Sequence, residues 1–263
     1  MSAYETTRSL AYDDSGGAGR LVVLLPGAGD LRTEHRFVAA PLAAAGFRVV
    51  TADLPGHGES PLAESYTVTS TAQALIELIE TLGGGPAVVV GCSFAPAAAV
   101  WAATDRPDLI DGVVAISPHF HADDSFKGRL QTMAIRWLLR GSLAAKLWGK
   151  LYASWYKTNP PADLEAEIGR MKRMLSESGR RKAVRDTLTA GRSGMDERMR
   201  NLTVPALVVF GSLDDHFAYP VAEANEVAEI LGGEALVVDG AGHYPHVERP
   251  EVVVDAVLDF LGR

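Results

Sequence analysis

With 263 residues, 47% of them apolar and 22% charged, the chain can bury a large core as one domain that carries an insertion. A net charge of −8 without a recognisable binding motif argues against nucleic acid as a partner, and no apolar run reaches the roughly 18 residues that a membrane-spanning helix needs. The single cysteine, Cys92, excludes an intrachain disulfide and a thiolate-cluster metal site.

In chain order, the start from Met1 to Glu5 lacks a charged n-region and an apolar h-region, so no signal peptide and a cytoplasmic location are expected. Residues 5–12 suggest an N-terminal strand. The run Leu21-Val22-Val23-Leu24-Leu25 is a buried strand entering the loop Pro26-Gly27-Ala28-Gly29. A second strand, Phe47 to Asp53, enters Leu54-Pro55-Gly56-His57-Gly58-Glu59-Ser60. Thr67 to Leu82 carries Ala72, Leu75, Ile76 and Ile79 at helical spacing, and Gly83-Gly84-Gly85-Pro86 stops it. Next, a strand over 86–91 breaks at Gly91-Cys92-Ser93-Phe94-Ala95 into an alanine-rich helix running to Asp105. A serine at such a break is close to the G-x-S-x-G nucleophile elbow, written here with Ala95 in the last place. The bland alternative is an ordinary buried turn with a chance serine.

A strand over 112–117 precedes residues 119–200, which break the alternation of strand and helix. This segment holds 17 Lys and Arg against 9 Asp and Glu, and every lysine of the chain. It is basic in an otherwise acidic protein, which argues for a separate structural unit. In Arg136 to Tyr156, Trp137, Ala144, Leu147, Trp148, Leu151 and Trp155 recur at three- and four-residue steps. That stripe either packs the segment onto the core or lines an apolar cavity. A basic helix with tryptophans can also lie on an anionic membrane surface. Pro160-Pro161 ends the pattern, and another helix begins at Ala162-Asp163. Strands over 204–210 and 234–239 then lead into Gly211-Ser212-Leu213-Asp214 and Gly240-Ala241-Gly242-His243-Tyr244-Pro245, with helices at Tyr219 to Leu231 and Val252 to Leu261. The order predicts an α/β fold, a mostly parallel central sheet with helices on both faces. Its loops gather at the carboxyl ends of the strands.

These residues carry a resemblance. The chain order Ser93, Asp214, His243 and the loop Asp53 to Ser60, of D-x-x-G-x-G-x-S type, resemble the α/β-hydrolase superfamily. The resemblance implies a hydrolase core over 1–118 and 201–263 and a helical cap, or lid, over 119–200. It implies Ser93 as nucleophile, His243 as its base and Asp214 as the group that orients the base. Asp215 is adjacent, but Gly211-x-x-Asp214 matches the family spacing and Asp215 is expected to face solvent. Backbone N–H groups of Ala28 and Phe94 would form the oxyanion hole, with Pro26 where the family usually has histidine. Cys92 is expected to be a small buried apolar residue, and His57 to bond to backbone.

The expected function is a capped serine hydrolase acting on an ester, lactone or thioester of a small to medium substrate. The same triad also supports C–C bond hydrolysis and other non-esterolytic chemistry, and a ligand-binding module with a vestigial triad is the alternative of another class. His119, His121, Trp137 and Trp148 are candidate substrate contacts. A Ser93 nucleophile argues against the aspartate-dependent dehalogenases and epoxide hydrolases of this fold. No dinucleotide-binding G-x-G-x-x-G follows the first strand, so no cofactor is expected. His119, His121, His243 and His246 lack the spacing of a known metal motif, so no metal is expected. The basic segment favours an anionic or carrier-bound substrate, and the chain is expected to be a monomer or homodimer without stable membrane insertion.

Overall fold

Both faces of the central apolar run are covered, and this decides the architecture. In Leu21–Leu25, Leu21, Val23 and Leu25 join one buried cluster while Val22 and Leu24 join another. A strand with period-two side chains can do this only inside a sheet with helices on both sides. The computed structural model describes residues 10–83, 85–121, 126–139 and 144–262. Residues 5–9 of the expected N-terminal strand lie outside these.

Seven strands form the sheet: β1 (Tyr12–Asp14), β2 (Leu21–Leu25), β3 (Arg48–Ala52), β4 (Ala87–Cys92), β5 (Ile110–Ile116), β6 (Ala206–Gly211) and β7 (Glu234–Val238). Their order is β1-β3-β2-β4-β5-β6-β7. Only β1 runs antiparallel to its neighbour; the others pair in parallel. The helices are α1 (Arg36–Ala44), α2 (Val68–Leu82), α3 (Ala95–Asp105), α4 (Phe126–Leu138), α5 (Ala144–Ser154), α6 (Leu164–Ser176), α7 (Arg180–Leu188), α8 (Met195–Arg200), α9 (Pro220–Leu231), α10 (Pro245–Glu248) and α11 (Pro250–Leu261). Helices α2, α3 and α9 supply Leu75, Ala99 and Val227 to one core, and α1 and α11 supply Leu42 and Val257 to the other. Among the described residues no helix is long and apolar enough to cross a membrane.

Between β5 and β6 the described residues form α4 to α8. The stripe read across Arg136 to Tyr156 is divided between α4 and α5. Trp148 and Tyr152 of α5 are buried with Met171 of α6 against the second core. Trp137 is instead 73% exposed. Helical spacing marks a face, and among the described residues the Trp137 end of that face lies largely in solvent.

The loop Asp53–Ser60 is held by its own polar groups. Asp53 accepts from Arg32 N at 2.8 Å and Glu59 N at 3.0 Å, and Ser60 Oγ donates to Asp53 O at 2.8 Å. His57 is fully buried and its Nδ1 donates to Pro55 O at 3.0 Å. Burial lowers its imidazole from an ordinary 6.5 to about 4. The unfolded chain therefore binds a proton that the folded chain rejects, and stability is lost as pH falls from about 6.5 to about 4. Urea titrations at a series of pH values should show that slope, and His57→Gln should flatten it by up to about one proton, the part belonging to one histidine.

Candidate active site

The turn after β4 is built by steric limits. Gly91 closes the strand, and a Cβ there would lie 2.8 Å from Pro96 N and 3.1 Å from Ala95 Cβ. Strand and helix therefore meet with no room for a larger residue at Gly91. Ser93 then takes φ 57°, a left-handed conformation that costs a non-glycine residue on the order of 1 kcal/mol or more. Its backbone is fixed on both sides, Ser93 N donating to Ile116 O at 2.9 Å and His119 N donating to Ser93 O at 2.9 Å. Among the described residues both of its hydrogen bonds are backbone bonds. Cys92 is fully buried in the core below, and burial pushes its thiol well above the usual range.

The loop after β2 approaches this turn closely: a Cβ on Gly27 would stand 3.3 Å from Ser93 Cβ. Two of the local N–H groups are taken, Gly27 N by Glu34 Oε2 at 2.8 Å and Ser93 N by Ile116 O. The next N–H groups along the chain are those of Ala28 and Phe94, the residues expected to face a substrate oxygen. Phe94 stands at the N-terminus of α3. Gly29, at φ 91°, lies under the Trp148 ring so closely that a Cβ would sit 2.2 Å from it. Trp148 thus packs on the loop next to Ala28.

His243 is 2% exposed, and its Nδ1 bonds Asp214 Oδ2 at 2.8 Å. Asp214 is buried, which alone would raise its carboxyl. The adjacent His243 charge and bonds from His216 and His243 hold it well below the usual carboxylate range. Asp215 is exposed and pairs with Lys157 Nζ at 2.8 Å. The structure therefore brings Asp214, and not its neighbour, to His243. Of the other histidines read from the sequence, His119 stacks on His243 with ring centres 5.5 Å apart. His121 is exposed and bonds Asp196 at 2.7 Å, apart from that stack.

Several partners carry no motif. His216 donates both its N–H, at 3.1 Å, and its Nδ1, at 3.0 Å, to Asp214 Oδ1, and its ring lies 4.0 Å from that of His243. Its position two residues beyond Asp214 was the available signal. Burial, then the neighbouring His243 charge, lowers both His119 and His216, so these rings favour the neutral form. Buried Glu34 spends its second oxygen, Oε1, on His246 Nε2 at 2.9 Å. Burial would raise Glu34, but the His246 bond and the charges of His35 and His246 hold it at about 2. Next to it Asp30, which accepts from Tyr244 Oη at 2.7 Å, is pushed well up by burial and by the Glu34 charge. Glu248, also buried, accepts Gly242 N at 2.6 Å on one oxygen and the N–H groups of Lys157, Thr158 and Asn159 on the other. Arg192 lies 4.8 Å over the Phe94 ring and donates to His119 O at 3.0 Å and Ala190 O at 2.7 Å.

A sequence model of the alpha/beta hydrolase family matches residues 22–256. BpoC of Mycobacterium tuberculosis, named as a non-heme bromoperoxidase, is 30% identical over 96% of this chain and 97% of its own. Its crystal structure aligns with 100% of this chain and 98% of its own at a TM-score of 0.79 and 27% identity. A 2-hydroxy-6-oxononadienedioate/2-hydroxy-6-oxononatrienedioate hydrolase of Burkholderia vietnamiensis is 28% identical over 96% of this chain and 90% of its own. A pimeloyl (acyl-carrier protein) methyl ester esterase of Neisseria meningitidis is 26% identical over 81% of this chain and 68% of its own.

The Glu34 contacts make a measurable demand. Glu34→Ala leaves buried Gly27 N–H and His246 without their acceptor, and should lower unfolding stability by about 2–4 kcal/mol in urea titration.

Proposed function

The chain belongs to the alpha/beta hydrolase family, and on that premise we propose that it is a serine hydrolase cleaving an ester, lactone or thioester through an acyl-enzyme on Ser93. The observation that carries this reading is the pairing of a left-handed serine at a strand-to-helix break with a buried Asp214–His243 bond of 2.8 Å. The strain at Ser93 lifts its hydroxyl out of the fold, where a substrate carbonyl can reach it. His243 takes the hydroxyl proton as the oxygen attacks, and Asp214, fixed from its other side by His216, holds the ring and balances its cation. The carbonyl oxygen, now an anion, lies against the N–H groups of Ala28 and Phe94, each worth about 3 kcal/mol of barrier. Collapse returns the proton to the leaving group. Water, activated by His243, then frees Ser93 and the acid.

Residues 119–200 act in this reading as a cap over the core at 1–118 and 201–263. Trp148 against the Ala28 loop, and Trp155 with its ring 5.9 Å from that of His243, bring the cap to the reacting groups. The similarity to the Burkholderia hydrolase supports a second reading in which the same residues cleave a carbon–carbon bond beside a ketone.

The substrate is small or carrier-bound and anionic. Arg192 supports this: it is half-buried beside Phe94, and among the described residues both of its hydrogen bonds go to carbonyl oxygens. Burial lowers its guanidinium only to about 10, so it stays cationic at neutral pH. A half-buried cation without a carboxylate partner among the described residues suits an anionic ligand, whose charge completes the pair.

Two experiments test these assignments. A fluorophosphonate should add once to the intact protein by mass spectrometry and not at all to Ser93→Ala; an adduct that persists overturns the assignment of the nucleophile. Arg192→Gln should raise KM for a carboxylate-bearing ester about tenfold or more, while a neutral ester of the same length is little affected.

A further inference from the structure

One ring nitrogen from each of His119, His216 and His243 lies within 4.8 Å of the other two, although the three residues come from three different loops. They follow β5, β6 and β7 respectively, so the parallel sheet collects them at one end. Two of the rings are also oriented by one carboxylate. Asp214 Oδ2 binds Nδ1 of His243 at 2.8 Å, and Asp214 Oδ1 binds Nδ1 of His216 at 3.0 Å. A carboxylate on one ring nitrogen fixes the tautomer and aims the other as a metal ligand. Here one acid does this for both rings, and each keeps Nε2 for a third party. His119 supplies the third nitrogen, its ring centre 5.4 Å from that of His216 and 5.5 Å from that of His243.

We propose that His119, His216 and His243 form a binding site for a zinc ion, and that the ion switches the hydrolase off by occupying the nitrogen that must receive the Ser93 proton. Three imidazoles with an open fourth position suit zinc, whose bonds to nitrogen are about 2.0–2.1 Å. Tetrahedral ligands at that length stand about 3.3 Å apart, so binding draws the nitrogens together by at most about 1.5 Å. The exposure of His216 gives the ion a route in. Asp214, behind two ligands, offsets part of its charge. The other histidine cluster, His35 and His246 around Glu34, is closed to such a role. It is fully buried and offers an ion no route in.

No bond to substrate is made or broken in this switch. The His243 Nε2 lone pair is donated to zinc instead of to the serine proton, and a chelator reverses it. Zinc binding stands on the geometry alone; the loss of activity rests on the proposed role of His243.

The test uses full-length protein freed of metal by chelator dialysis. Cobalt should give one equivalent of four-coordinate visible absorption, and zinc should displace it. His216→Gln and His119→Gln should each weaken zinc binding about tenfold or more by calorimetry, whereas His121→Gln should not. Circular dichroism melts report whether each variant folds, and if His216→Gln does not, His119→Gln carries the comparison. Fluorophosphonate labelling should slow in proportion to zinc occupancy and recover with chelator. Absence of cobalt absorption, or affinity unchanged in both variants, overturns the site. Full occupancy with an unchanged labelling rate overturns the switch. Cobalt binding in a protein that never labels, even metal-free, upholds the site and overturns the acyl-enzyme reading.

Discussion

One buried carboxylate sets the relation between the loops on which the site depends. Glu34 accepts from Gly27 N with one oxygen and from His246 Nε2 with the other, and so ties the loop after β2 to the segment that carries His243. These loops are far apart in sequence and would otherwise be placed only by the ends of their strands. An ionised acid in a dry site is costly unless every lone pair is used, and here the N–H donors and two nearby imidazoles make ionisation favourable. The adjacent Asp30 is pushed the other way, upward, by its burial and by the Glu34 charge.

Strain and packing combine at the serine. The left-handed backbone at Ser93 is an unfavourable conformation held by favourable surroundings: bonds to Ile116 and from His119, and a strand and helix pressed together at Gly91. Because β5 supplies both of those bonds from its end and the residues just beyond, the turn is fixed by the centre of the sheet. His243, after β7, is fixed nearer the edge by Asp214, after β6. Parallel pairing of β4, β5, β6 and β7 is what brings these ends together at one end of the sheet.

The sequence showed the sheet, the elbow and the loop ends because each is written locally, in apolar runs, glycines and a serine at a break. Spacing from Gly211 separated Asp214 from Asp215, and the fold puts the first on His243 and the second on Lys157. What was not legible depends on contacts between distant segments. Nothing near Glu34 in the chain announces Gly27 and His246 as its two partners, and His216 resembles any loop histidine until Asp214 and His243 fold around it. Trp137 shows the opposite limit. Its periodicity matched that of Trp148, but a helical stripe does not reveal where the core beneath it ends, and the two residues differ between open solvent and full burial. The metal motifs sought along the chain require close spacing, whereas the three histidines that converge here are joined only by topology.

Glu248 holds the base loop and the exit of α5 in one knot, with Gly242 on one oxygen and three consecutive amides on the other. Separating them would strand four amide donors and a buried acid, a penalty that grows with every bond broken. This end of the helical layer therefore behaves as an anchored hinge leaf. Any parting of the layer from the sheet is cheapest at margins remote from Gly242, so the His243 loop is the part that such a movement disturbs least.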